Sequence, residues 1–66
     1  MTTKYPQISV QLTGEDGNAF MIIGRVLNAL KRAGISIEER EQFKTEAMSG
    51  DYNNVLITCM KWVNVE

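Results

Sequence analysis

Sixty-six residues with a formal net charge of −1, 44% of them hydrophobic and 23% charged, describe a single domain with room for one core. A chain this short buries only roughly 60% of the surface its unfolded form exposes, so a deep catalytic cavity would compete with the core for the same apolar side chains. The near-neutral balance and the pI of about 5.3 speak against binding nucleic acid by bulk phosphate neutralisation, and the absence of histidine removes the commonest acid–base group at neutral pH.

Residues 1–6 read as a polar, flexible lead-in containing Pro6. From Gln7 to Thr13 the chain alternates, with Ile8, Val10 and Leu12 on one face and Ser9 and Gln11 on the other, which predicts a half-buried strand. Gly14-Glu15-Asp16-Gly17 punctuates it as a turn. The stretch Asn18 to Ala33 then predicts the central helix. Asn18 supplies the N-cap, and Ala19, Phe20, Ile22, Ile23, Val26, Leu27, Leu30 and Ala33 recur at spacings of three and four, edged by Met21 and Ala29. Arg25, Asn28, Lys31 and Arg32 fall opposite, and Gly34 suits the left-handed residue past the helix end. Gly24, in mid-helix, has two readings: it permits close approach by another element, the favoured one, or it is merely tolerated there.

Ser36 and Glu39 match a capping box for a second helix reaching about Ala47, with Phe43 as its one large apolar contribution and Arg40 and Lys44 on a solvent side. Asp51 caps a third helix from Tyr52 to about Trp62, with Tyr52, Val55, Leu56, Cys59, Met60 and Val63 on one face and Asn53, Asn54, Thr58 and Lys61 mostly opposite. A rival strand reading of residues 55–65 rests on their β-branched and aromatic content and on the alternation of Val55, Ile57 and Cys59; the alternation breaks at Lys61, which would share their face, so the helix is the favoured reading and the strand stays open beside it. A short strand over Val63–Val65 closes the chain and is placed to pair with the first. The expected fold is therefore α+β, small and mainly helical, in the order β-α-α-α-β, as one domain over residues 1–66.

Asp16-Gly17-Asn18-Ala19-Phe20, Ser49-Gly50-Asp51-Tyr52 and the terminal Trp62-Val63 resemble the motifs of a group of small bacterial and phage proteins, over most of residues 8–65. The resemblance brings no activity with it and so no catalytic or binding residue. A fainter one is to three-helix domains of the ubiquitin-associated type, in Gly50-Asp51 opening a last helix with Val55 and Leu56. Those domains bind a partner through a glycine loop, but this chain departs in first-helix length and in the strand before it.

Several groups could carry chemistry. Gly14 to Asn18 precedes a helix N-terminus, the setting of an anion site, yet Glu15 and Asp16 stand where a phosphate would sit. Glu15, Asp16, Glu46 and Asp51 match no calcium-loop spacing. Cys59 lies in an apolar series and reads as an inert buried thiol. No catalytic, cofactor or metal residue is assigned, and enzyme activity is not expected. Tyr52, Met60, Trp62, Met21 and Met48 are the candidate protein-interface residues, since aromatic and Met side chains are enriched at interfaces, and a homo-oligomer is one form such an interface takes. Arg25, Asn28, Lys31 and Arg32 are the candidate nucleic-acid contacts of an alternative, regulatory reading. No run of 18 apolar residues is present, so no membrane partner is expected. One unpaired cysteine and no apolar leader fit a cytoplasmic protein.

Overall fold

The computed structural model describes residues 3–11 and 19–66. In chain order these form β1 (Tyr5–Val10), α1 (Ala19–Arg32), α2 (Ile37–Ala47), α3 (Tyr52–Trp62) and β2 (Val63–Val65). This is the mainly helical β-α-α-α-β arrangement that the hydrophobic pattern predicts, with residues 55–62 helical rather than extended. β1 and β2 pair in parallel, Tyr5 opposite Val63 and Val10 opposite Val65, so the sheet joins segments separated by all three helices. β1 begins two residues before its expected start, which puts Tyr5 and Pro6 in the strand and not in the lead-in. The register slips between Tyr5 and Ser9, and Pro6 stands in that irregular stretch, where a missing N–H interrupts no regular ladder. The expected turn and the Asn18 cap lie outside the described residues.

α1 buries Ile22, Ile23, Val26 and Leu30, a spacing of one, three and four that puts them on one stripe. Phe20, which the spacing assigns to that stripe, is 74% exposed. At 100° per residue it falls roughly 100° from the stripe's centre, beyond what the other elements cover. Ala33 is exposed as well, because the helix ends one residue earlier. The end is a Schellman motif: Gly34 takes φ +82°, its N–H donates to the Lys31 carbonyl at 3.1 Å, and the Ile35 N–H donates to the Leu30 carbonyl at 3.0 Å. Ile35 then packs on the core as an anchor.

α2 gives the core only Phe43 and Ala47, as its thin apolar stripe predicts. Ser36 caps it by accepting from the Glu39 N–H at 3.3 Å. The reciprocal half of the capping box is missing, because the Glu39 carboxylate is turned toward β1. Its Oε1 accepts from the Tyr5 hydroxyl at 2.6 Å and pairs with Lys4 Nζ at 2.7 Å. Arg40, assigned to solvent, is half-buried, and its Nε has no hydrogen-bond partner among the described residues.

α3 starts on Asp51, whose Oδ1 accepts from the Asn54 N–H at 3.0 Å. Its buried side is Val55, Thr58, Cys59 and Trp62, one position around from the expected face. Thr58 is buried, whereas Tyr52 and Met60 are not. Asn54 is turned inward too: its Nδ2 donates to the Glu46 and Ala47 carbonyls at 2.9 and 3.2 Å, closing the end of α2. That contact sets the glycine before it, since a Cβ on Gly50 would lie 2.9 Å from the Asn54 Cβ.

Trp62 is the joint of the fold. It is 4% exposed, meets Phe43 edge-on at 5.6 Å and Tyr5 at 6.0 Å, and donates its Nε1–H to Glu46 Oε2 at 2.8 Å. Lys4 Nζ lies 4.2 Å from its ring centroid. The start of β1 is thus tied to α2 and α3 by one cluster of Lys4, Tyr5, Glu39, Glu46 and Trp62.

That cluster predicts a pH response. Hydrogen bonds from Lys4 first and Tyr5 second hold the Glu39 carboxyl below the usual carboxylate range, and the bond to Glu39 raises both Lys4 and Tyr5. A carboxylate lowered by folding stabilises above its unfolded pKa, and that contribution is lost as pH falls through the folded value; the raised Lys4 and Tyr5 contribute until pH rises through theirs. Glu39→Gln is therefore expected to lower Tm at pH 7 and to differ little from wild type at pH 2. Thermal melts at the two pH values check this, and an equal deficit at both would assign the loss to packing instead.

Candidate functional site

An open groove of about 790 Å³ lies between β1 and α1. Five consecutive residues of the strand and its exit, Gln7, Ile8, Ser9, Val10 and Gln11, form one wall. Consecutive residues alternate faces, so a wall that includes them all is the strand's edge and not one of its faces. The backbone agrees. The Val10 carbonyl accepts from the Glu66 N–H at 2.9 Å, on the β2 side, so by alternation the amide groups of Ser9 and Gln11 turn the other way, into the groove. The Gln11 carbonyl is met there by Arg25, whose guanidinium donates to it at 3.4 Å. With the sheet order β1-β2, no described strand covers this edge.

The opposite wall is one flank of α1, from Met21 through Arg25, Asn28 and Arg32 to Ala33. Gly24 lies within that flank, and a Cβ built on it meets nothing within 4 Å among the described residues. Close packing against another element, which the sequence suggests for Gly24, is therefore found at Gly50 instead. Gly24 leaves the wall low. Gly24→Ala is expected to stabilise the domain by about 1 kcal/mol and to raise Tm by about 4–8 °C, read in a thermal melt; a lower Tm would reveal a contact with that face of α1.

The predicted interface residues do not form one patch. Met21 lies in the groove. Met48 lies beside Phe20 at a smaller depression of about 160 Å³ between the start of α1 and the α2–α3 turn. Tyr52 and Met60 are 40% and 53% exposed on α3, eight residues and so about 12 Å apart along the helix, and line neither cavity. Trp62 is in the core. Of the predicted nucleic-acid contacts, Arg25, Asn28 and Arg32 come together along the groove, while Lys31 does not line it.

The remaining candidates have structural explanations or fall outside the described residues. Among the described residues no three of His, Cys, Asp and Glu gather as a metal site. Glu46 accepts from Trp62 and Asp51 caps α3, whereas the Gly14–Asn18 turn, with Glu15 and Asp16, is not described. The Cys59 thiol is buried, and burial pushes its pKa up to about 11, so little thiolate exists at neutral pH. No helix among the described residues is long and apolar enough to cross a membrane.

Nothing in the local pattern marks the groove. Gln7, Ser9 and Gln11 read simply as the polar face of a strand, and whether that strand has a free edge depends on which partner it takes. Set against protein-family models, curated proteins and solved structures, the chain matches none.

Proposed function

We propose that this chain is a small, non-catalytic protein-interaction module of the cytoplasm, and that the groove between β1 and α1 is its contact surface. The observation that carries this reading is the edge of β1 that no described strand covers, turned into an open groove. An exposed edge is a template for another strand unless it is blocked, and strand addition is a recurrent way of holding an extended segment. The test is amide shift mapping of the labelled protein against pools of blocked eight-residue peptides of mixed composition. Shifts gathered on Gln7–Gln11 and the Met21–Ala33 flank are expected; shifts absent from both walls with every pool would overturn the reading.

The exposed Phe20, Met48, Ile57 and Met60 support self-association as a further property of such a module, and a chain that stays monomeric in sedimentation equilibrium at micromolar to millimolar concentration would remove it. The alternative, a nucleic-acid-associated regulator using Arg25, Lys31 and Arg32, is supported by the gathering of Arg25, Asn28 and Arg32 on one flank. It predicts salt-dependent binding of an oligonucleotide.

A further inference from the structure

We infer that residues 3–5 form an acid-released strap: Glu39 holds it across the Trp62 ring, and its opening about Pro6 and Gln7 uncovers that ring while the three helices stay folded. The strap does not depend on what the groove holds.

Three features separate the strap from the rest of β1. The first is the ladder. From Tyr5 to Ser9 the strand advances four residues while β2 advances one, from Val63 to Asn64. Pro6 and Gln7 in that interval are exposed, and Pro6 has no N–H to give to a ladder. Beyond them Ile8 and Val10 are core residues, and Ser9 and Val10 pair with Asn64 and Val65. β1 therefore keeps its hold on the domain without residues 3–5.

The second feature is the strap's contact with α3. Thr3 Oγ1 donates to the Met60 carbonyl at 3.1 Å, and the Lys4 N–H donates to the Lys61 carbonyl at 2.8 Å. Both carbonyls belong to the last turn of α3, where the helix has no N–H of its own for them. Met60 and Lys61 are exposed, so water can take over both carbonyls when the strap leaves. The third feature is Glu39. Among the described residues, both side-chain bonds from the strap to α2 end on its Oε1, from the Tyr5 hydroxyl at 2.6 Å and Lys4 Nζ at 2.7 Å. The same two residues cover Trp62, with the Tyr5 ring at 6.0 Å and Lys4 Nζ at 4.2 Å from its ring centroid. Trp62 retains Phe43 and the Glu46 bond when they withdraw.

One carboxylate thus gathers the strap. Among the described residues, Lys4 and Tyr5 are the titratable groups that face Glu39 from β1. α3 brings the uncharged Trp62 beside them, and Glu46 of α2 is a second acidic charge near Lys4. Hydrogen bonds from Lys4 first and Tyr5 second lower the Glu39 carboxyl in the closed form. A carboxyl lowered by closing favours the closed form above its open-form pKa, and that preference is lost as pH falls through the closed value. Acid therefore opens the strap. On the alkaline side, the raised Lys4 and Tyr5 keep it closed until pH rises through their values.

Native-state hydrogen exchange at pH 7 over a low-urea series, together with Trp62 fluorescence, tests the strap in the full chain, whose one tryptophan is Trp62. The wild-type Lys4 amide is expected to exchange at least roughly tenfold faster than those of the buried Val26 and Leu30. Its rate should hardly change with urea, whereas theirs should climb, because only global opening exposes much new surface. Between pH 7 and about pH 3, acrylamide quenching of Trp62 is expected to rise about twofold while the far-UV helical signal holds.

Glu39→Gln is expected to show the raised quenching already at pH 7, to speed Lys4 exchange about tenfold, and to lose the acid step. Lys4→Gln, at an exposed position, should raise quenching at pH 7 in the same direction and decides the point if Glu39→Gln does not fold. Equal urea dependence at Lys4 and Val26, or quenching that rises only as the helical signal falls, would overturn the inference, since no strap would then open apart from the fold. An acid step of wild-type size in Glu39→Gln would overturn Glu39 as the group that holds it.

Discussion

Trp62→Ala is expected to leave the chain unfolded, or close to it, at 25 °C in water. The side chain is 4% exposed, and truncating a buried Trp costs about 3–5 kcal/mol. A domain of 66 residues has a total stability of roughly 3–10 kcal/mol, so one substitution removes much or all of it. The loss exceeds that of an isolated core residue because Trp62 joins three elements. Its ring lies on Phe43 of α2 and Tyr5 of β1, while its own backbone ends α3 where β2 begins.

Trp62→Phe separates bulk from polarity. It keeps an aromatic ring in the site but loses the Nε1–Glu46 bond of 2.8 Å, a hydrogen bond to a charged group worth about 1.5–3 kcal/mol, and it should remain folded. Far-UV circular dichroism through a urea series measures both variants. Retention by Trp62→Ala of a cooperative transition within about 1 kcal/mol of wild type would show that the cluster does not hold the fold.

Phe43→Ala is the second large effect, about 3–5 kcal/mol, with a different signature. α2 places only Phe43 and Ala47 in the core, and its other residues are polar or, like Ile37, 64% exposed. Without Phe43 the helix keeps its Ser36 cap and the Asn54 bonds at its far end but has almost no apolar surface to bury. Amide protection in α2 is therefore expected to fall before that of α1, whose four buried residues are untouched. Ile37→Ala, on the same helix, should change stability by less than about 0.5 kcal/mol. Native-state hydrogen exchange distinguishes the cases, and a uniform loss across all three helices would mean that α2 does not open by itself.

The elements were legible because their signals are local. Asp51 and Ser36 announce helix starts, Gly34 an end, and the spacing of Ile22, Ile23, Val26 and Leu30 a buried face. Side-chain placement near the edges of a face was less legible. Phe20 and Met60 look apolar enough to be buried, and Thr58 and Asn54 polar enough to be outside, yet Phe20 and Met60 are exposed, Thr58 is buried and Asn54 is half-buried. A few tens of degrees around a helix axis decide such cases, and they are set by where the neighbouring elements lie. Trp62 shows the same limit. Its burial depends on Tyr5, 57 positions earlier, and on Phe43, 19 positions earlier, a meeting that no short window contains. The groove was invisible for a related reason: an edge is a property of strand order, and the order here follows from the parallel pairing of the first and last elements.

That parallel pairing governs how the molecule responds to tension. Tyr5 stands beside Val63 and Val10 beside Val65, so the chain enters the ladder at one end and leaves it at the other. Pulling on the two termini draws β1 and β2 past each other in shear. The cross-strand bonds share the load and must rupture together, whereas in a hairpin pulled at its open end they would unzip singly. A domain of modest thermodynamic stability can thereby resist mechanical extraction along one particular axis.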